Sequence, residues 1–191
     1  PAKAAAYGLT GRQAILMIGP PGCGKTLMAR VAAAEMARLG GRRCRFGVVK
    51  PAEWDDPYVG VTGQRIRACF AALARAAADD GYAVLFLDEI ESIGRSRGEA
   101  GNLHGDRALA VLLAELDGFA TRANVAVVAA TNRRDLLDSA LASRFDVEVA
   151  VGRPSLQGAR AIFALHLPTT LPLAGDADSR DEIVDTAVAR L

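Results

Sequence analysis

Gly19-Pro20-Pro21-Gly22-Cys23-Gly24-Lys25-Thr26, GPPGCGKT, directly follows the apolar run Ala14-Ile15-Leu16-Met17-Ile18. Three glycines and two prolines in eight residues are more than a surface turn requires. The stretch fits G-x-x-x-x-G-K-[ST], with Gly19, Gly24, Lys25 and Thr26 at the fixed positions. A strand pattern before it and a helix pattern after it are the context this spacing needs. The glycines let successive N–H groups turn inward as an anion nest, and a helix starting near Lys25 adds the positive end of its dipole. Lys25 is then placed to bridge β- and γ-phosphates, and the Thr26 hydroxyl to ligate Mg²⁺. The stretch therefore predicts a cradle for a nucleoside triphosphate. Pro20, Pro21, Gly22, Cys23 and Leu27 fill its remaining binding positions. The competing reading is a Gly/Pro turn that merely opens a helix. Cys23 reads as a tolerated small side chain rather than a redox group.

Outward from the loop, short apolar runs alternate with helical patterns. Ile15–Ile18, Phe46–Val49, Val84–Leu87, Val125–Ala130 and Val147–Val151 are strand-like, mostly β-branched or aromatic. Thr26–Leu39, Gln64–Ala78 and Arg107–Leu116 are rich in the helix formers Ala, Leu and Arg. This alternation predicts βαβ units and a parallel sheet covered on both faces, which explains why the strand runs do not alternate in polarity. Arg153-Pro154-Ser155 breaks the pattern. It suggests a boundary there, with residues 1–153 forming the nucleotide-binding domain and 154–191 a helical appendage. The appendage holds helix candidates at Leu156–Leu167 and from Asp181, and it reads as cut short at Leu191. The stretch Ser92–Asp106 carries four glycines and reads as a mobile loop.

The bulk numbers are those of an ordinary globular domain. Hydrophobic residues make up 51% of 191, enough to build a core. Net charge is +1 with no long run of one sign, so nucleic acid and membrane surfaces are not indicated as partners. The three cysteines match no zinc or disulfide spacing, which favours a reducing compartment and hence the cytoplasm. No apolar run reaches the ~20 residues that span a bilayer. A first residue of Pro1 reads as a trimmed fragment. His104 and His166 have no metal-like partner set.

Two further strand ends point at the loop. Val84-Leu85-Phe86-Leu87 runs into Asp88-Glu89. There Asp88 is placed to hold Mg²⁺ through its water shell, and Glu89 to orient and deprotonate an attacking water. Taken alone, an apolar run followed by Asp-Glu is common. Val125–Ala130 ends in Thr131-Asn132, and ligands gather at the carboxyl ends of strands in an open parallel sheet. Asn132 would therefore face the γ-phosphate or the lytic water; by itself it reads as an Asn opening a turn.

With GPPGCGKT, LFLDE, AATNR and ASRFD in this order, the chain resembles the AAA+ ATPases, in the AAA branch proper, over about Gln13 to Arg160. The likeness implies a P-loop NTPase αβα sandwich with a five-stranded parallel sheet, followed by a partial helical lid. It also implies ATP as the nucleotide, Mg²⁺, and a homo-oligomeric, usually hexameric ring with nucleotide between neighbours. Gly19–Thr26 would then be the Walker A loop, Asp88 and Glu89 the Walker B pair, and Asn132 sensor 1. Arg144 would be the arginine finger that enters the next subunit's site; without the likeness it reads as a surface arginine. Tyr58, Val59 and Gly60 match the pore-loop motif, with Trp54 packed beneath it and Ser92–Asp106 as a second pore loop. Six such loops would grip an extended polypeptide.

Within the branch, the GPPGCGKT spelling and the tail from Leu171-Pro172-Leu173 into IVDTAVARL are most like bacterial proteasome-associated ATPases, which suggests a protease partner. Three departures stand out. Ala142-Ser143-Arg144-Phe145-Asp146 has one arginine where the family usually has two, leaving Arg133 or Arg134 as a second cation. Val61-Thr62-Gly63-Gln64 replaces a carboxylate-rich stretch after Gly60. Arg134 stands at a common proline position. The activity implied is an ATP-driven motor that unfolds or remodels protein substrates. An AAA+ switch or loader acting on nucleic-acid complexes is the alternative, and a small-molecule kinase is disfavoured by Glu89 and Asn132.

Overall fold

The structure, a computed structural model, describes residues 14–58, 60–78, 81–93, 103–119, 124–167 and 179–189. The chain divides into two compact units, Pro1–Val151 and Gly152–Leu191. In the first unit, β1 (Ala14–Ile18) leads into α1 (Lys25–Gly40), followed by β2 (Cys44–Val49) and a 3₁₀ turn at Pro51–Trp54. Helix α2 (Val61–Ala76), β3 (Tyr82–Leu87), a second 3₁₀ turn at Ile90–Ser92 and α3 (Leu103–Phe119) come next. The unit closes with β4 (Val125–Thr131), a 3₁₀ turn at Arg134–Leu136, α4 (Ser139–Ala142) and β5 (Val147–Ala150).

The five strands form one sheet in the order β2-β3-β4-β1-β5, and every pair is parallel. This is the five-stranded P-loop architecture that the pattern of strands and the family likeness predict. Successive side chains of a strand point to opposite faces, so each central strand feeds two cores. Leu16, Leu85, Leu87, Val127 and Ala129 pack with Ile66, Phe70 and Leu73 of α2 and with Leu109, Leu112 and Leu116 of α3. On the other face Met17, Val84, Phe86, Val128 and Ala130 pack with Ala29 and Ala33 of α1. Two alanines four residues apart leave room for α1 to lie close to the sheet. Strand β4 is buried along its whole length. The edge strands β2 and β5 are not: Val48 and Val147 are exposed. Burial on both faces is thus a property of the central strands, because an edge strand has a neighbour on one side only.

Some boundaries shift from those the sequence suggests. Helix α2 starts at Val61 rather than Gln64, since the Val61 and Gln64 amides already donate to the Tyr58 and Gly60 carbonyls at 3.3 and 3.1 Å. The expected loop Ser92–Asp106 is shorter, because α3 begins at Leu103; residues 94–102 lie outside the described residues. Strand β5 stops at Ala150, although the Val151 amide still reaches the Ile18 carbonyl at 2.7 Å.

In the second unit, α5 (Leu156–His166) starts where Ser155 Oγ accepts from the Gly158 amide at 3.1 Å, which is why the Arg153-Pro154-Ser155 break precedes a helix. It contacts α6 (Ser179–Val188), and Arg160 forms an ion pair with Asp185.

Candidate active site

Three strand ends build the site. After β1, Gly19 donates its amide to the Thr131 carbonyl at 3.1 Å, which ties the loop to the end of β4. A Cβ at Gly19 would stand 1.9 Å from the Val151 carbonyl oxygen, so no side chain fits there. Gly22 and Gly24 are different: a Cβ would meet nothing within 4 Å, but their φ values of 78° and 83° lie in the left-handed region. Their requirement is conformational, and it folds the loop back over the start of α1.

Helix α1 begins after Gly24 without any side-chain cap and without an acidic residue in its first turn. Its first N–H groups are left without intrahelical acceptors, and no carboxylate of its own first turn offsets the positive dipole end. The Lys25 ammonium donates to the Gly19 and Pro20 carbonyls, both at 2.8 Å, and so lies across the loop. The cavity in front holds about 420 Å³ and is lined by Pro21, Gly22, Gly24, Lys25, Thr26, Leu27, Asp88, Glu89, Thr131 and Asn132. Cys23 instead packs against the α1-side core.

Asp88 follows β3, its amide bonded to the Val49 carbonyl at 2.9 Å. Glu89 has φ 55°, ψ 49°, the one non-glycine residue at positive φ among the described residues. Such a conformation costs on the order of 1 kcal/mol and is typical of functional sites. The turn puts the Glu89 side chain at the cavity, where the Lys50 ammonium stands 3.7 Å from its carboxylate. Two residues on, Glu91 is buried with one carboxylate oxygen lacking a hydrogen-bond partner.

At the end of β4, Thr131 is 1% exposed and its hydroxyl accepts the Arg133 amide at 3.0 Å, which bends the chain so that Asn132 lines the cavity. Arg133 pairs with Asp135 at 3.0 Å, and that hydrogen bond holds the Asp135 carboxyl below its ordinary value. Arg134 donates to Glu148 at 2.8 and 3.0 Å and so links the turn after β4 to β5.

Arg144 does not line the cavity. Its Nε lies 2.8 Å from Asp117 at the end of α3, Nη2 donates to the same carboxylate at 3.2 Å, and Nη1 donates to the Ala140 carbonyl at 3.3 Å. Tyr58 lies outside the cavity too, with its side chain in solvent. Gly60 is exposed beside it, and Val59 is outside the described residues. Trp54 is buried in the 3₁₀ turn upstream of Tyr58.

Sequence reasoning missed Lys50 and Asp117, and gave Thr131 no role beyond ending its strand. A lysine closing a strand run just before Pro51 was a weak signal for the first. Asp117 carried none, because its partner lies 27 residues away.

The residues present fit a nucleoside triphosphate with a divalent cation: a glycine cradle, an uncapped helix start, one ammonium, and the Thr26 hydroxyl and Asp88 carboxylate on the same cavity. Among the described residues no cluster of three or more His, Cys, Asp or Glu could hold a metal alone, and no helix is long and apolar enough to cross a membrane.

The family model described as the ATPase family associated with various cellular activities (AAA) matches residues 15–153. An "AAA ATPase forming ring-shaped complexes" from Corynebacterium diphtheriae is 42% identical over 97% of this chain and 37% of its own length. Its counterpart from Corynebacterium efficiens is 40% identical over 97% and 36%. An "ATP-dependent zinc metalloprotease FtsH 1" from Sorangium cellulosum is 42% identical over 86% of this chain and 26% of its own. The chain thus spans little more than a third of the Corynebacterium relatives. With the family model covering the sheet, the phosphate loop and the strand ends at Asp88-Glu89 and Thr131-Asn132, the chain belongs to the AAA family of ATPases.

Proposed function

We propose that this chain is the ATP-hydrolysing motor domain of a homo-oligomeric, hexameric ring that threads and unfolds protein substrates in the cytoplasm and hands them to a protease. One observation carries the catalytic half: Lys25, Thr26, Asp88, Glu89 and Asn132 converge on one cavity from three strand ends. The relatives' printed names support the ring and a link between ATP use and proteolysis.

The chemistry follows from the side chains. Lys25 exchanges its two carbonyl acceptors for β- and γ-phosphate oxygens, while the open N–H groups of α1 take the remaining phosphate charge. Mg²⁺ held between Thr26 and Asp88 would supply further charge neutralisation. Glu89 leaves Lys50 to accept a proton from the attacking water on a carboxylate oxygen. The Asn132 amide donates to the γ-phosphate or positions that water. Arg144 exchanges Asp117 for the neighbouring subunit's site, where a guanidinium offsets the charge on the phosphoryl oxygens. Tyr58, with Val59 and Gly60, presents an aromatic grip to an extended polypeptide.

The test is ATPase rate per protomer against protein concentration. A cooperative rise supports neighbour-completed sites, and a flat rate across the range ends the ring mechanism. Tyr58→Ala should abolish threading of a tagged substrate; a variant that threads normally overturns the pore assignment.

A further inference from the structure

Tyr58 presents a physical puzzle. The residue is 75% exposed, a poor place for a large aromatic, yet its backbone is held from both sides. The Tyr58 amide donates to Asp56 Oδ1 at 3.0 Å, and the Tyr58 carbonyl accepts the Val61 amide at 3.3 Å. The other oxygen of the same carboxylate, Asp56 Oδ2, takes Arg65 Nη2 at 2.6 Å. Arg65 stands on the first turns of α2, and its Nη1 also donates to the Asp55 carbonyl at 3.2 Å and the Glu53 carbonyl at 3.4 Å.

We propose that Arg65 is the positioning residue of the Tyr58 segment: its guanidinium, spread over Glu53, Asp55 and Asp56, holds in place the backbone from which the ring projects toward polypeptide. The inference rests on the polypeptide-gripping role given to Tyr58 above. An exposed ion pair alone contributes little. Here the Asp56 side chain is only 14% exposed, and three acceptors on one planar fork fix orientation as well as distance. Beneath them the 3₁₀ turn Pro51–Trp54 is anchored by buried Pro51 and Trp54. Between Trp54 and α2 the described chain has no regular structure, so without Arg65 the segment would be joined to its surroundings mainly by its two ends. A ring that must be ordered at each binding event binds more weakly than one ordered in advance. This arrangement also answers the missing carboxylates after Gly60: the acidic group that organises the segment here is Asp56, before the aromatic.

The molecule supplies its own probe, since Trp54 is the single tryptophan and is 6% exposed. Acrylamide quenching of Trp54, and anisotropy of fluorescein-labelled casein with a non-hydrolysable ATP analogue, are measured for the parent, Arg65→Ala, Arg65→Lys and Tyr58→Ala. Arg65→Ala should quench more readily and bind casein about tenfold more weakly, the scale set by ordering a residue's backbone. Arg65→Lys keeps the charge but not the fork, and should recover only part of the affinity. Unchanged quenching in Arg65→Ala overturns the inference. So does unchanged casein affinity in Arg65→Ala alongside a Tyr58→Ala variant that has lost it. Parental casein binding by Tyr58→Ala overturns the gripping role instead, and Trp54 quenching then decides the staple by itself.

Discussion

At Gly19 the absence of one carbon decides whether the phosphate loop can form. A methyl group there would overlap the Val151 carbonyl, and the loop would have to move off the ends of both β4 and β5. Gly19→Ala should therefore destabilise the fold by about 1–3 kcal/mol through overpacking, read by urea denaturation, and weaken ATP binding in the fraction that folds. Lys25 and Glu89 separate binding from chemistry. Lys25→Ala should abolish binding of a fluorescent ATP analogue. Glu89→Gln keeps the size of the side chain and loses its basicity, so nucleotide should bind while phosphate release falls about 10²–10⁴-fold. Retained turnover in that variant would mean another group takes the proton. Cys69, half-buried on α2, has its thiol pKa pushed up by loss of hydration. Burial disfavours the thiolate, so at neutral pH Cys69 should alkylate with iodoacetamide more slowly than a free thiol. Its rate should climb only above the ordinary thiol range, as followed by mass spectrometry across pH.

At the scale of elements, α3 and α4 show how packing and capping share the work. Leu112 of α3 is fully buried among β-sheet and α2 side chains. Leu112→Ala should cost about 2–5 kcal/mol, lowering Tm by on the order of 10 °C. Helix α4 is a single turn held by Asp138, whose carboxylate accepts from Ala140 and Leu141 at 2.9 and 3.3 Å. That turn carries Ser143 and Arg144 at its end, so it sets where the guanidinium starts. The phosphate loop was legible at this scale because its features are local: a strand, a glycine-rich turn and a helix start within about two turns of chain. The early start of α3 was not legible. Four glycines between Ser92 and Asp106 argue for a loop, but Leu109, Leu112 and Leu116 bury one stripe of α3 against the sheet, and helix continues upstream from that packing.

For the molecule as a whole, the pairing of Arg144 with Asp117 matters most. In the single protomer the proposed finger is occupied by its own α3. On the proposed ring mechanism, assembly must break a partly exposed ion pair worth roughly 0.2–1 kcal/mol. Asp117→Asn should therefore lower the protein concentration for half-maximal ATPase by a factor of up to about five, the upper end of that energy converted to a ratio. Arg144→Ala should cut the assembled rate by about 10³ or more while leaving nucleotide binding in place. If Arg144→Ala hydrolyses ATP at the parental rate, the cation in the neighbouring site is another residue.

What the sequence by itself determined is the set of groups whose meaning depends on a few neighbours along the chain. The phosphate loop, the Asp88-Glu89 pair after an apolar run, and the Thr131-Asn132 strand end each carry their geometry in bond lengths and short-range sterics. Only the tertiary structure decided which strand ends lie side by side, that Lys50 faces Glu89, that Asp117 holds Arg144, and that Arg65 carries the Tyr58 segment. Those pairings join residues separated by nine to dozens of positions. No local propensity encodes them, because they exist only once burial of the two cores has set the sheet order and the helices against it.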